Sequence, residues 1–357
     1  VTTASNEVWP AKGSVRSLPL DSWPVADRAA WNTACRPAER LKRGGAAGHL
    51  KPVTRDDLAL RYGFFLDFLH RHDLLPLDGP AAAAVTAENV DGYIAELKAR
   101  VSSVTVYGSI SKLRRTAQLV APDRDFTWLT DIERDLALVM RPRSKFDRVV
   151  TTEVLVEAGL GFIHEAEDSP MLTELARACQ VRNGLMVASL AFCPIRLKNF
   201  VSLEIGRSFI QIQGTWWIVL SAAETKENRP DERPINGLLT PVIDRYLGEY
   251  RSVLAGTGNP PSSLWLSSTD GGPMSYRRVR GVISMTTLAS LGFEVSPHMF
   301  RTCAASTAAS YGGDNPHLAS ALLHHTHPSV TDAHYNRATS LTAAEGLRQI
   351  VREYEKK

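Results

Sequence analysis

The chain has 357 residues, 44% hydrophobic and 22% charged, with a net charge of +3; that length suits two domains, each able to bury a core without disulfide staples. No apolar run nears the roughly 18 residues of a membrane-spanning helix. The opening VTTASNEVWPAKGSVRS lacks the apolar core of a signal peptide, and Cys35, Cys179, Cys193 and Cys303 show no paired spacing, so a soluble cytoplasmic protein with free thiols is expected.

Residues 1–50 are rich in Pro, Ser, Gly and Ala, hold Trp9, Trp23 and Trp31 as their large anchors, and end in RLKRGGAAGHLKP. They read as an irregular arm. The positive excess lies toward this end: residues 1–150 carry 22 Lys and Arg against 18 Asp and Glu, the remainder 19 against 20. Two runs, Arg40, Lys42, Arg43 and Lys112, Arg114, Arg115, are candidates to meet phosphate, although either run alone is more commonly a solvated face. In DDLALRYGFFLDFLHRHDLL, Leu58, Tyr62, Phe65, Phe68 and Leu69 recur at three-to-four spacing, which predicts a helix. TAENVDGYIAELKARV with Thr86 as cap, SVTVYGSISKLRRTAQLVA, and TDIERDLALVMRP up to Pro142 complete a set of four helices over 51–141. The polar, basic, proline-interrupted stretch around 142–149 reads as a linker.

TTEVLVEAGLGFIHEAE and MLTELARACQVRNGLMVASLAF are again helical. The second is apolar on nearly all sides from Leu185 onward, which predicts a central position until Pro194 ends it. IGRSFIQIQGTWWIVLSAAETKENRPDERPI alternates β-branched and aromatic residues, broken at GRS, QG and ENRPD, and predicts a small antiparallel three-stranded sheet. Helices resume at LLTPVIDRYLGEYRSVL. In SPHMFRTCAASTAASYGG, Ser296 is the expected cap, Pro297 the first helical residue and Gly312-Gly313 the stop. The end, TAAEGLRQIVREYEKK at 342–357, opens with a Thr342-x-x-Glu345 capping box and puts Leu347, Ile350, Val351 and Tyr354 on one face.

Certain residues far apart in this chain fall into an order. Arg196 stands in CPIRLKNF after the buried helix, and Lys226 in the turn ETKENRP between two strands. His298 and Arg301 share a face in HMFR, and His325 and Tyr335 lie in HHTHPSVTDAHY. Arg, Lys, His-x-x-Arg, His, Tyr resembles the active site of the tyrosine recombinases, the phage-integrase-type site-specific recombinases, in the plasmid and transposon integrase branch. The likeness covers about 150–340; the first half is compatible with that family's four-helix core-binding module. It implies a mainly α protein, with a DNA-binding core-binding domain over 51–141 and a mainly helical catalytic domain over 150–341 that carries the sheet.

The chemistry explains these residue types. A phosphodiester repels nucleophiles, and its transition state concentrates charge that two planar guanidiniums can clamp. The resemblance gives that clamp to Arg196 and Arg301. It makes Tyr335 the nucleophile that stores the bond energy in a 3′-phosphotyrosyl link without ATP. Lys226 would protonate the leaving 5′-oxygen, His298 would act as base or relay, and His325 would hydrogen-bond a phosphate oxygen. Nothing here calls for a cofactor. The four histidines of HHTHPSVTDAH lack closed-site metal spacing, so no metal is expected.

The chain departs from the family pattern in places. Pro194-Ile195 replaces the common Gly-Leu, Asn199 stands where an acid is frequent, and Leu-His-His replaces Leu-Gly-His. His325 lies ten residues before Tyr335 instead of nine, which leaves His324 and His327 as alternatives. Implied partners are double-stranded DNA with specific sites and further copies of the chain, a dimer per site and a tetramer in synapsis, with accessory or sister recombinases. The terminal helix would either pack on its own domain or, as terminal helices of such recombinases commonly do, dock on a neighbouring protomer, and the location would be the nucleoid of a bacterial cytoplasm. A type IB topoisomerase and a non-catalytic DNA-binding accessory protein on the same fold are the other readings.

Overall fold

The computed structural model describes residues 16–76, 79–142, 148–226 and 228–311, which fall into two units, Val1–Arg143 and Ser144–Lys357, each with its own apolar core. Trp9, residues 143–147, Gly312-Gly313, His325, Tyr335 and the expected helix at 342–357 lie outside the described residues.

In the first unit the four expected helices are α2 (Pro52–Arg71), α3 (Ala87–Arg100), α4 (Ser103–Val120) and α5 (Trp128–Leu138), preceded by a further helix, α1 (Val25–Cys35). Thr86 caps α3 as expected, its Oγ1 accepting from Asn89 N at 3.3 Å. The arm reading fails for 18–35. Leu18, Trp23 and Trp31 are buried, and Trp23 packs edge-on against Tyr62 of α2 with ring centroids 4.9 Å apart. What ties α1 down is Asp27, fully buried. Its carboxylate accepts from Tyr62 Oη at 2.5 Å and from the backbone N–H groups of Ala81 and Ala82 at 2.7 and 3.1 Å. Three donors converge on one buried acid, which satisfies groups that would otherwise be buried without partners. Arg71 joins α2 to α3 through Glu96, at 2.7 Å.

The second unit centres on α6 (Thr152–Asp168) and α7 (Glu174–Phe192). Every residue from Leu185 to Ala191 is buried, as the all-round apolar pattern predicts. The two helices touch backbone to backbone: a Cβ on Gly184 would lie 2.5 Å from Gly159 O, and one on Gly159 would lie 2.7 Å from Gly184 O. Neither side can yield without separating the helices. Gly184→Ala is therefore expected to destabilise the protein by about 3 kcal/mol, the upper end of an overpacking cost, and equilibrium denaturation reads this directly. Wild-type stability in the variant would mean that the helices have room to part.

Three antiparallel strands follow in the order β1 (Phe209–Ile212), β2 (Thr215–Leu220) and β3 (Asp231–Pro234). Ile212 pairs Thr215 across a two-residue turn, and both turn residues, Gln213 and Gly214, have positive φ, as a tight twisted hairpin requires. Trp216, Ile218 and Leu220 face the core. Short α8 (Leu197–Val201) precedes the sheet. After it, α9 (Thr240–Arg245) and α10 (Arg251–Ala255) are joined by a π-helical turn over Tyr246–Tyr250. The expected single helix thus widens where buried Tyr246 sends its hydroxyl to Leu264 O at 2.8 Å. Last come α11 (Tyr276–Leu291) and α12 (Pro297–Tyr311). The architecture is mainly helical with one small antiparallel sheet, as expected. No described helix is long and apolar enough to cross a membrane.

Candidate active site

Helix α7 stops because Pro194 has no N–H to continue it. Ile195 then turns inward, 2% exposed, and Arg196 occupies the cap position of α8, half-buried. Phe200 of α8 anchors this corner beneath Trp265, with ring centroids 5.0 Å apart, and Trp265 Nε1 donates to Phe200 O at 2.9 Å. The loop that presents Arg196 is thereby held from below.

Helix α12 reaches the same loop. Arg301 lies one turn into it, 9% exposed, and its Nη1 donates to Pro194 O at 2.6 Å. This charge-assisted bond reaches the backbone only two residues before Arg196. The structure thus brings the Arg301 side chain to the loop that carries Arg196. His298, three residues before Arg301, is exposed at the start of α12.

Strand β3 abuts the same corner. Buried Cys193, at the C-cap of α7, points its thiol at Pro234 O, 3.9 Å away. Beside it Arg233 and Asp231 form a buried two-point ion pair at 2.7 and 3.0 Å. Burial pushes the Cys193 thiol up to about 11, so it is an unreactive packing group. Lys226 lies on the β2–β3 connection, exposed. The base of that turn is fixed by Thr225, whose Oγ1 donates to Arg229 O at 2.7 Å and accepts from Arg229 N at 3.0 Å. The turn therefore projects Lys226 from a pinned stem.

Of the expected catalytic residues, Arg301 and the Arg196 loop are joined, His298 shares the helix of Arg301, and Lys226 extends from the adjoining sheet. His325 and Tyr335 lie outside the described residues. The Pro194 carbonyl and the Asp231–Arg233 pair are not among the residues the sequence points to. A buried pair two apart in DERP could have been suspected from strand alternation, whereas the carbonyl carries no sequence signal.

The candidate DNA-contacting runs differ from each other. Arg40, Lys42 and Arg43 are exposed, as is Arg115. Lys112 is instead held by Asp57 of α2 at 2.6 Å, and Arg114 makes a close two-point pair with Glu133 of α5. Those two cations join helices of their own unit.

Residues 162–341 match the phage integrase family. The chain is 25% identical over 171 residues to tyrosine recombinase XerC of Anoxybacillus flavithermus, a match covering 48% of this chain. It spans 55% of that relative's length. Its fold is similar to that of the XerH site-specific recombinase bound to difH substrate, with a TM-score of 0.57 at 11% identity, covering 93% of this chain and 99% of that one.

Proposed function

Because the chain belongs to the phage integrase family of tyrosine recombinases, we propose that it is a site-specific DNA recombinase that cuts and rejoins duplex DNA through a 3′-phosphotyrosyl intermediate. The observation that carries this reading is the bond from Arg301 to Pro194 O, at 2.6 Å. Two arginines far apart in sequence meet at one loop, which suits them to grip the two non-bridging oxygens of one phosphate. Tyr335 is the nucleophile, Lys226 protonates the leaving 5′-oxygen, His298 serves as base or relay, and His325 steadies a phosphate oxygen. Residues 51–141 form the core-binding domain and 150–341 the catalytic domain. Phosphate contacts supply most of the affinity and fewer base contacts choose the site. The chain works as a dimer on each site and a tetramer in synapsis, as a mobile-element integrase in the bacterial cytoplasm.

The test is a nicked suicide substrate built from DNA flanking the protein's own gene, incubated in EDTA. A covalent protein–DNA adduct surviving denaturant is expected, since no step needs a metal. Adduct only after zinc is added would overturn the metal-free mechanism. Binding without any adduct would favour the accessory-protein reading, and relaxation of supercoils without strand exchange between two sites would favour a type IB topoisomerase.

A further inference from the structure

The segment between α1 and α2 is strongly basic. Residues 36–51 carry Arg36, Arg40, Lys42, Arg43 and Lys51 against the single acid Glu39, a net +4 in sixteen residues, where the whole chain totals +3. All five cations are exposed. The rest of the chain sums to −1, its other basic runs, such as residues 141–148, being offset by acids elsewhere.

This segment is built rather than loose. Gly45 N donates to Arg36 O at 2.9 Å and Ala47 N to Ala34 O at 2.8 Å, so it doubles back on the end of α1. Ala47 is fully buried beneath it. A Cβ on Gly45 would lie 2.2 Å from Thr33 O, and one on Gly48 would lie 2.3 Å from Arg36 O; only glycine permits that approach. From this base a tight turn projects. Lys42 N donates to Glu39 O at 3.0 Å and Glu39 N to Lys42 O at 3.2 Å. The Lys42 and Glu39 side chains also face each other at 3.6 Å, an exposed pair that water screens and a phosphate can displace.

At the tip stands Leu41, 100% exposed and at φ 70°, in the third position of a turn where glycine or asparagine is usual. A large apolar side chain there gains nothing from the fold. It sits in the left-handed region, touches no core, and is flanked by Arg40 and Lys42. Resting on the recombinase reading, we infer that the 36–51 loop enters the minor groove of duplex DNA, with Leu41 as an apolar wedge and Arg40, Lys42 and Arg43 on the phosphates bordering it. A two-residue tip suits a groove about 6 Å wide, whereas the major groove admits a whole helix. Cations beside an apolar residue inserted at a base step form the usual chemistry of minor-groove kinking.

The test uses the full chain and two 30-base-pair duplexes, one with central TA steps and one of G·C pairs only, carrying a donor and an acceptor dye at their ends. Replacing Arg40, Lys42 and Arg43 together by Gln is expected to weaken binding of both duplexes about tenfold at physiological salt. It should also reduce the slope of log affinity against log salt by about 2 to 3, near 0.9 for each phosphate contact. Leu41→Asn keeps the backbone conformation and every charge. It is expected to retain the wild-type salt slope while losing end-to-end bending and the preference for TA steps, which deform most readily. Wild-type DNA binding with an unchanged slope in the triple variant would remove the loop from the DNA and leave the recombinase reading standing. Absence of DNA binding by the wild type would sink both. Bending by Leu41→Asn equal to wild type would overturn the wedge. So would loss of only the slower, multi-protomer complex in a gel shift, which would place Leu41 against a second copy of the chain.

Discussion

An Arg301→Lys protein is expected to fold, to bind duplex DNA nearly as well as the unaltered chain, and to cleave it about 10²- to 10³-fold more slowly, the usual cost of losing one preorganised donor to developing charge. The charge is conserved, so long-range attraction to phosphate is kept. What changes is shape. Arg301 is 9% exposed and spends Nη1 on Pro194 O at 2.6 Å, which sets the guanidinium plane beside the Arg196 loop. A guanidinium offers five donors in a rigid fork and can hold a carbonyl on one edge while addressing an oxygen on another. An ammonium is a point charge on a flexible stem. It can take the carbonyl or the phosphate, and either choice loses the fixed geometry. Single-turnover cleavage beside equilibrium binding separates the two effects. Cleavage at full rate by the lysine variant would mean that Arg301 is a structural brace with no part in the chemistry.

How far the sequence shows this site depends on the range of the interaction involved. The apolar spacing of Leu58, Tyr62, Phe65, Phe68 and Leu69 is local, and α2 lies where that spacing puts it, with all five side chains buried. The alternation of Trp216, Ile218 and Leu220 likewise marks β2. The burial of Trp23 and Trp31 is different in kind. The Pro, Ser, Gly and Ala around them dilute any periodicity, and what orders α1 is Asp27, whose partners Tyr62, Ala81 and Ala82 lie 35 to 55 residues away. No window on the sequence contains both ends of such a bond. The same holds for Lys112 and Arg114, which read as a basic run and are held by Asp57 and Glu133. In the candidate site, the residue types and their order are read through a family resemblance. The tie from Arg301 to the Pro194 carbonyl spans 107 residues and involves a backbone oxygen, which every residue possesses and no motif can mark.

Tyr335→Phe is expected to have the largest effect: undetectable covalent adduct and strand cleavage reduced by on the order of 10⁴-fold or more, as when the nucleophile of an enzyme is removed. The substitution deletes one hydroxyl and preserves the ring, so the fold and the phosphate contacts that supply affinity should persist. A phenol is unionised at neutral pH, with an ordinary pKa near 10, and it attacks only where its proton has somewhere to go and nearby cations favour the phenolate. On the proposed reading Arg196, Arg301 and the exposed Lys226 bring that positive charge to the site, and all three remain in the variant. Intact machinery without a nucleophile should therefore hold the substrate and leave it uncut. The measurement is a denaturing gel of a suicide substrate for wild type and variant at matched occupancy. An adduct formed by Tyr335→Phe at a wild-type rate would assign the covalent step to another residue. Loss of DNA binding along with cleavage would instead give Tyr335 a part in holding the substrate, and the two readouts together distinguish a missing nucleophile from a missing contact.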